Sequence, residues 1–301
     1  MALELRIGGQ TAWAHDEGHA AGVFHTYDAL DVGTAFPARK VHVFLPRGWE
    51  RRERRYPVVL MHDGDTAFWP GGVAHKTWDV AGELSRRRAR LQPVVVVAVH
   101  PIDRDREYTH VDWAAGLRPW GALPAHADYI AGDVKGFIDR CYPTMGGPDA
   151  AVVGSSHGGL AAFYAATRRP DAFGKAGCLS PSFFSGLDSL GHGGRRAGAR
   201  PVALADQELV AGAAALLAAP ERRPAIWLSW GLRRDGGEHN EVVEELATRR
   251  GREMARLLEE RFGYRHHRDL FVHEDPGAGH DEDSWRGHFG RMMEAFFPAA
   301  R

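Results

Sequence analysis

An α/β architecture, with a mostly parallel central sheet and helices on both faces, is the fold class this sequence predicts, and three observations carry the prediction. Two continuous runs rich in β-branched residues, PVVLMHD at 57–63 and PVVVVAV at 93–99, have the composition of strands buried on both faces of a parallel sheet. Strand-like and helix-like segments alternate through most of the chain, as right-handed βαβ crossovers require. A short turn, Gly154-Ser155-Ser156-His157-Gly158, joins one such strand to one such helix.

The 301 residues suit a single domain spanning 1–301. Residues 1–22 lack clear periodicity and are expected to form a loose N-terminal arm. KVHVFLP at 40–46 alternates like a half-buried strand, and the two apolar runs flank a helix-like stretch near 78–90. Apolar residues recur at threes and fours over 125–141, which predicts an amphipathic helix. A strand at 150–154, a helix at 158–168 and a strand at 175–180 follow. The Gly- and Arg-rich interval 186–200 leads into an Ala-rich helix around 209–219, and 186–222 is the candidate cap or lid, with a plain surface loop as the alternative. The last third repeats the alternation, with strands at 224–231 and 268–274 and helices at 240–262 and 283–297.

Hydrophobic residues make up 44% and charged residues 26% of the chain, a balance that buries a large core. With 38 Lys+Arg against 39 Asp+Glu the net charge is −1, so no overall field draws nucleic acid or an anionic membrane. The basic runs at 51–55 and 86–90 read as solvated surface. The expected partner is a small molecule, and the oligomeric state, homo-oligomer included, is left open. Cys141 and Cys178 read as buried, reduced thiols. The N-terminal segment lacks a basic stretch followed by an apolar one, and no run of about 18 apolar residues occurs. A cytoplasmic location is the expectation.

The chemistry centres on the G-x-S-x-G turn. A serine between small residues, at the junction of strand and helix, fits a strained bend that lifts its hydroxyl above the sheet, which nominates Ser156 as nucleophile over its neighbour Ser155. The start of the next helix brings its positive dipole end and the His157 N–H toward a developing oxyanion. A second donor is expected from HDGDTAFWPGG, at Gly64 or Asp65. A serine needs a base and an acid that orients it, in the order Ser, acid, His. His280, in EDPGAGHDEDSW after the last strand, supplies the base. The loop after 224–231 supplies Asp235 as acid, with Glu238 as the alternative, while Asp275 and Asp281 are expected to cap or line the His loop. No cofactor is required. No H-E-x-x-H or C-x-x-C spacing occurs, and His15 with His19 lies outside any helical pattern, so no metal centre is expected.

With these motifs in view, the chain resembles the putative-esterase branch of the α/β-hydrolases, which includes enterochelin (siderophore trilactone) esterases, S-formylglutathione hydrolases, feruloyl and acetyl-xylan esterases and mycolyltransferases. The likeness runs from about Phe24 to Phe297 and rests on YPVVLMHDGDTAF, DRDREYT, GSSHGGLAAFYAA, LSPSFF and GAGHDEDSW. It is nearest to the enterochelin-esterase-like members, through the HDG turn, an R-x-x-E-Y met by Arg104, Glu107 and Tyr108, the G-S-S-x-G-G elbow, and a histidine loop met by Gly279, His280, Asp281 and Trp285. The resemblance puts the group's Ser and His on Ser156 and His280. Its acid stands three residues after a strand-ending Gly, whereas Asp235 is four after Gly231. It implies an α/β-hydrolase fold and cleavage of carboxylic esters through an acyl-enzyme, on a siderophore trilactone or a related small ester. An acyltransferase with the same triad and an inactive ligand-binding homologue are the alternatives. Arg104, Glu107, Tyr108 and Trp285 are candidates for substrate binding, with bracing of the loop beside the nucleophile as the other reading for Arg104 and Glu107. Trp69, Trp78, Trp113, Arg104 and Arg234 are candidates to grip a catecholate ester.

Overall fold

A computed structural model describes residues 2–72, 74–110, 121–188 and 203–300. In chain order the strands are β1 (Leu3–Ile7), β2 (Gln10–His15), β3 (Gly22–Leu30), β4 (Arg39–Pro46), β5 (Val58–Met61), β6 (Val95–Val99), β7 (Ala151–Ser155), β8 (Lys175–Leu179), β9 (Ala225–Gly231) and β10 (Leu270–Asp275). The helices are α1 (Gly64–Ala67), α2 (Val80–Arg87), α3 (Arg104–Tyr108), α4 (Leu123–Asp128), α5 (Lys135–Cys141), α6 (His157–Arg168), α7 (Glu208–Ala211), α8 (Ala214–Leu217), α9 (Glu244–Arg256) and α10 (Glu282–Phe296).

All ten strands join one sheet in the order β1-β2-β3-β4-β6-β5-β7-β8-β9-β10. Pairing is antiparallel from β1 to β4 and between β4 and β6, then parallel from β6 through β10. Because side chains alternate across a strand, the apolar runs feed two cores. Val58, Leu60, Val95 and Val97 join one face with Ile130, Ile138 and Leu160, while Val59, Met61, Val96 and Ala98 join the other with Leu84, Phe289 and Met293. Helices therefore cover both faces of the parallel half, and the catalytic candidates lie beyond the carboxyl ends of β5, β7, β9 and β10.

Two expectations need correction. Residues 1–22 are not a loose arm: β1 and β2 form a hairpin on the edge of the sheet, and Ala12 is fully buried. The connection is Gly8-Gly9, with φ of 55° and 82°, the left-handed pair that a two-residue hairpin turn demands and that a search for apolar periodicity passes over. The Ala-rich helix expected over 209–219 is instead two single turns, α7 and α8, parted at Gly212-Ala213. Of the candidate lid, residues 189–202 lie outside the described residues. Leu204, Leu209, Val210 and Leu217 are part of the core, and the Leu204 N–H donates to Glu253 on α9 at 2.7 Å. Among the described residues no helix is long and apolar enough to cross a membrane.

Candidate active site

Ser156 stands between β7 and α6 with φ 52° and ψ −122°, a conformation that non-glycine residues rarely adopt. Close approach of strand and helix enforces it. A Cβ on Gly154 would lie 2.4 Å from the Gly158 carbonyl, and one on Gly158 would press on Asp63 and His62 at 3.1 and 3.3 Å. The bend is also stitched from the side: Ser156 N–H donates to the Leu179 carbonyl at 2.9 Å, and Ser182 N–H donates to the Ser156 carbonyl at 2.9 Å. The Ser156 and Ser182 hydroxyls are 3.2 Å apart. Ser155, the internal rival, is the last residue of β7 and is buried.

The turn after β5 faces this elbow. Asp63 has a left-handed backbone, φ 53°, and the helical turn α1 begins at Gly64. Arg104 fixes the turn by donating from Nε and Nη2 to the two Asp63 carboxylate oxygens at 2.7 and 2.8 Å, and the Asp63 N–H donates to the Tyr108 hydroxyl at 3.0 Å. Burial, followed by the charge of Asp63, raises the pKa of Asp65. Burial, and next the charge of Arg104, holds His157 down to about 3, so its ring stays neutral while its backbone opens α6.

His280 lies in the loop between β10 and α10. Its backbone N–H donates to Asn240 Oδ1 at 2.8 Å, its ring stands edge-on to Trp285 with centroids 5.1 Å apart, and its Nδ1 is 2.6 Å from Glu244 Oε2. The two side chains of this pair are 4% and 0% exposed. Glu244 Oε1 accepts from the Ser180 hydroxyl at 2.9 Å and from the Gly231 N–H, and Trp285 Nε1 donates to Ser180 in turn at 3.2 Å. Ser180 and Ser182, in the segment just after β8, thus reach toward the acid and the nucleophile respectively.

The acid partner of His280 is therefore neither of the two expected residues. Asp235 is 84% exposed and lies 3.6 Å from Arg233, and Glu238 is exposed at the start of the following helical run. The loop leaving β9 turns outward to solvent over these positions, then returns as a helix whose inner face carries Asn240, Glu244 and Thr248. Thr248 donates to the Gly231 carbonyl at 3.1 Å, and one turn further Gly251 lets the helix close on Trp230. A glutamate on the buried stripe of an otherwise highly charged helix was the available signal: a carboxylate placed there needs donors.

The four residues named for substrate binding are each held by contacts within the protein. Glu107 is buried and accepts from Arg39 Nη1 at 2.9 Å; Tyr108 and Trp285 are buried, one behind the Asp63 turn and the other beneath His280. Arg104 braces the turn through Asp63. Trp78 is a core residue against Trp285, Trp69 packs on Phe24, Arg234 is tied to Glu245 at 2.7 Å, and Trp113 lies outside the described residues. A recess of about 490 Å³ opens beside His280, lined by Lys76, Arg233, Asp235, Gly236, His239, Asn240 and Asp281.

The sequence profile of the family described as "Putative esterase" matches residues 37–296. The chain belongs to the putative-esterase family. A curated relative of this family member, the uncharacterized protein YbbA of Bacillus subtilis (strain 168), is 24% identical over 155 residues, which are 48% of this chain and 58% of that protein. Among solved structures it is similar to the BES protein from Bacillus cereus, with a TM-score of 0.64, 15% identity and coverage of 91% of this chain and 94% of the other. It is also similar to the siderophore hydrolase EstA from Aspergillus nidulans, with a TM-score of 0.63, 19% identity and coverage of 93% and 97%. At these identities the likeness establishes the α/β-hydrolase fold.

Proposed function

We propose that this member of the putative-esterase family is a serine hydrolase of carboxylic esters, with Ser156 as nucleophile, His280 as general base and Glu244 as the acid that orients it. The observation that carries the reading is the 2.6 Å contact between His280 Nδ1 and a fully buried Glu244. A carboxylate there fixes the tautomer with the proton on Nδ1 and leaves Nε2 to take the serine proton. The Ser156 oxygen then attacks the ester carbonyl. The N–H of His157, with that of Gly64 or Asp65, stabilises the oxyanion, and His280 returns the proton to the departing alcohol. Water repeats the sequence on the acyl-enzyme. The network around Glu244 supports this, since three donors hold the acid in one rotamer.

The substrate we propose is a small ester that carries hydrogen-bond acceptors or negative charge. Lys76, Arg233, His239 and Asn240 in the recess beside His280 favour such groups, and the likeness to a protein described as a siderophore hydrolase makes a catecholate lactone the first compound to try. Two unpaired cysteines, Cys141 and Cys178, favour a reducing cytoplasm, with the ester substrate as the partner. The test is a panel of short acyl esters and a tri-catecholate lactone, assayed on the purified protein and on Ser156→Ala. Expected is ester turnover that falls by at least about 10³-fold in the variant. Turnover that survives the substitution contradicts the nucleophile; simple acetyl esters cleaved far faster than the lactone remove the siderophore reading and leave the esterase.

A further inference from the structure

We propose a binding site for a divalent metal ion of the zinc class, formed by His273, Asp275 and His288 and separate from the Ser156–His280–Glu244 constellation. His273 and Asp275 are two apart on β10, so their side chains leave the same face of the strand, and His288 reaches them from α10. Asp275 Oδ2 is 4.0 Å from His273 Nε2 and 3.6 Å from His288 Nε2, and the three donor atoms all lie within 4.8 Å of one another. Tetrahedral zinc with bonds of about 2.0–2.1 Å needs such atoms roughly 3.3–3.5 Å apart, a contraction that small side-chain rotations supply.

The surroundings favour a cation over an ordinary polar contact. His288 is buried with a side-chain exposure of 1%, and neither of its ring nitrogens has a hydrogen-bond partner; His273 Nε2 is also buried without one. The Gly277 N–H holds Asp275 Oδ1 at 2.9 Å, which leaves Oδ2 turned toward both rings. The rings stand nearly perpendicular, at 88°, with centroids 5.1 Å apart. His273 and Asp275 are partly exposed, which gives an ion a route in and a fourth position for water. Arg291 lies near enough to His273 to oppose a cation, and the carboxylates of Asp275 and Glu244 act on the other side.

Two imidazoles and a carboxylate are a borderline donor set, suited to zinc or a neighbouring first-row ion and poorly suited to magnesium or calcium. The spacing rules for metal motifs miss the set because its ligands come from a strand and a helix with a loop between. That placement gives the site its consequence. Asp275 and His288 bracket the loop that carries His280, and His288 is one turn beyond Trp285, so an ion there would clamp β10 to α10 across the base of the catalytic histidine's loop.

The test uses full-length protein stripped with EDTA and desalted, then titrated with Co²⁺, whose visible bands report bound imidazole and carboxylate, and separately with Zn²⁺ during thermal melts. Expected are a one-to-one Co²⁺ endpoint that Zn²⁺ displaces, a melting temperature raised by several degrees at saturating Zn²⁺, and at least tenfold weaker binding in His273→Gln and in Asp275→Asn. Those two side chains are partly exposed, and metal-free melts of the variants check that they fold. Ser156→Ala should bind as wild type does, which separates this site from the hydrolase reading. Absence of a Co²⁺ spectrum, or a spectrum unchanged in both ligand variants, overturns the proposal.

Discussion

The serine side of the proposed site and its histidine–carboxylate side are built on different principles. Ser156, His157 and the Asp63–Gly64 turn come from strand-to-helix junctions in which a few adjacent residues dictate the backbone, and glycines mark the places where strand and helix nearly touch. His280 and Glu244 come from segments 36 residues apart and meet only because the helix after β9 and the loop after β10 are bound to each other. Arg233 N–H donates to the Ala278 carbonyl at 3.0 Å, and Asn240 holds the His280 backbone. The first region is rigid because of local sterics, the second because of a buried polar network. Substitutions should therefore fail differently in the two regions.

The largest effect is expected on the second side. Glu244→Gln should lower kcat by about 10³- to 10⁴-fold, since the amide can hold the wrong tautomer, while Asp235→Asn changes it less than about threefold. Steady-state kinetics on the two variants break the comparison if their order is reversed. On the first side, Arg104→Gln removes the two-pronged hold on Asp63 and should cost about 10- to 100-fold in kcat with little change in KM, because the aim of an oxyanion donor is lost and not the donor itself. Gly154→Ala should destabilise the protein by about 1–3 kcal/mol, read from urea unfolding, because its Cβ meets helix backbone that cannot yield.

The smallest effect concerns pH. Burial depresses His62, beside the Asp63 turn, to about 4, and His25 on β3 and His100 just past the end of β6 to about 4 as well. The unfolded chain, with histidines near the ordinary 6.5, binds more protons than the folded one between about pH 4 and 6.5. Stability contributed by these neutral rings is complete above that window and declines as pH falls through it. Urea midpoints should accordingly drop from about pH 7 to about pH 5, with no such slope from these groups above pH 7.

The same contrast explains what could be read from residues alone. The parallel half of the sheet was legible because β5 and β6 are apolar on both faces, and the elbow was legible because Gly154 and Gly158 flank a serine at a strand end. The hairpin of β1 and β2 was not, because its information sits in Gly8-Gly9 and the strands bury little. Glu244 was missed because proximity in sequence to the end of β9 favoured Asp235, whereas the fold sends that loop into solvent and brings a carboxylate to His280 from the next helix. The buried positions of Glu107, Tyr108 and Trp285 likewise depend on tertiary packing, which a motif cannot report.

The most direct test of the account is a crystal structure of the protein after reaction with a fluorophosphonate. The predicted result is a phosphonyl group on Ser156, with one oxygen about 3 Å from the His157 N–H and from that of Gly64 or Asp65, and with His280 between the adduct and Glu244. An adduct on another residue, or a His280 ring whose Nδ1 meets Asp235 or Glu238 in place of Glu244, would contradict it.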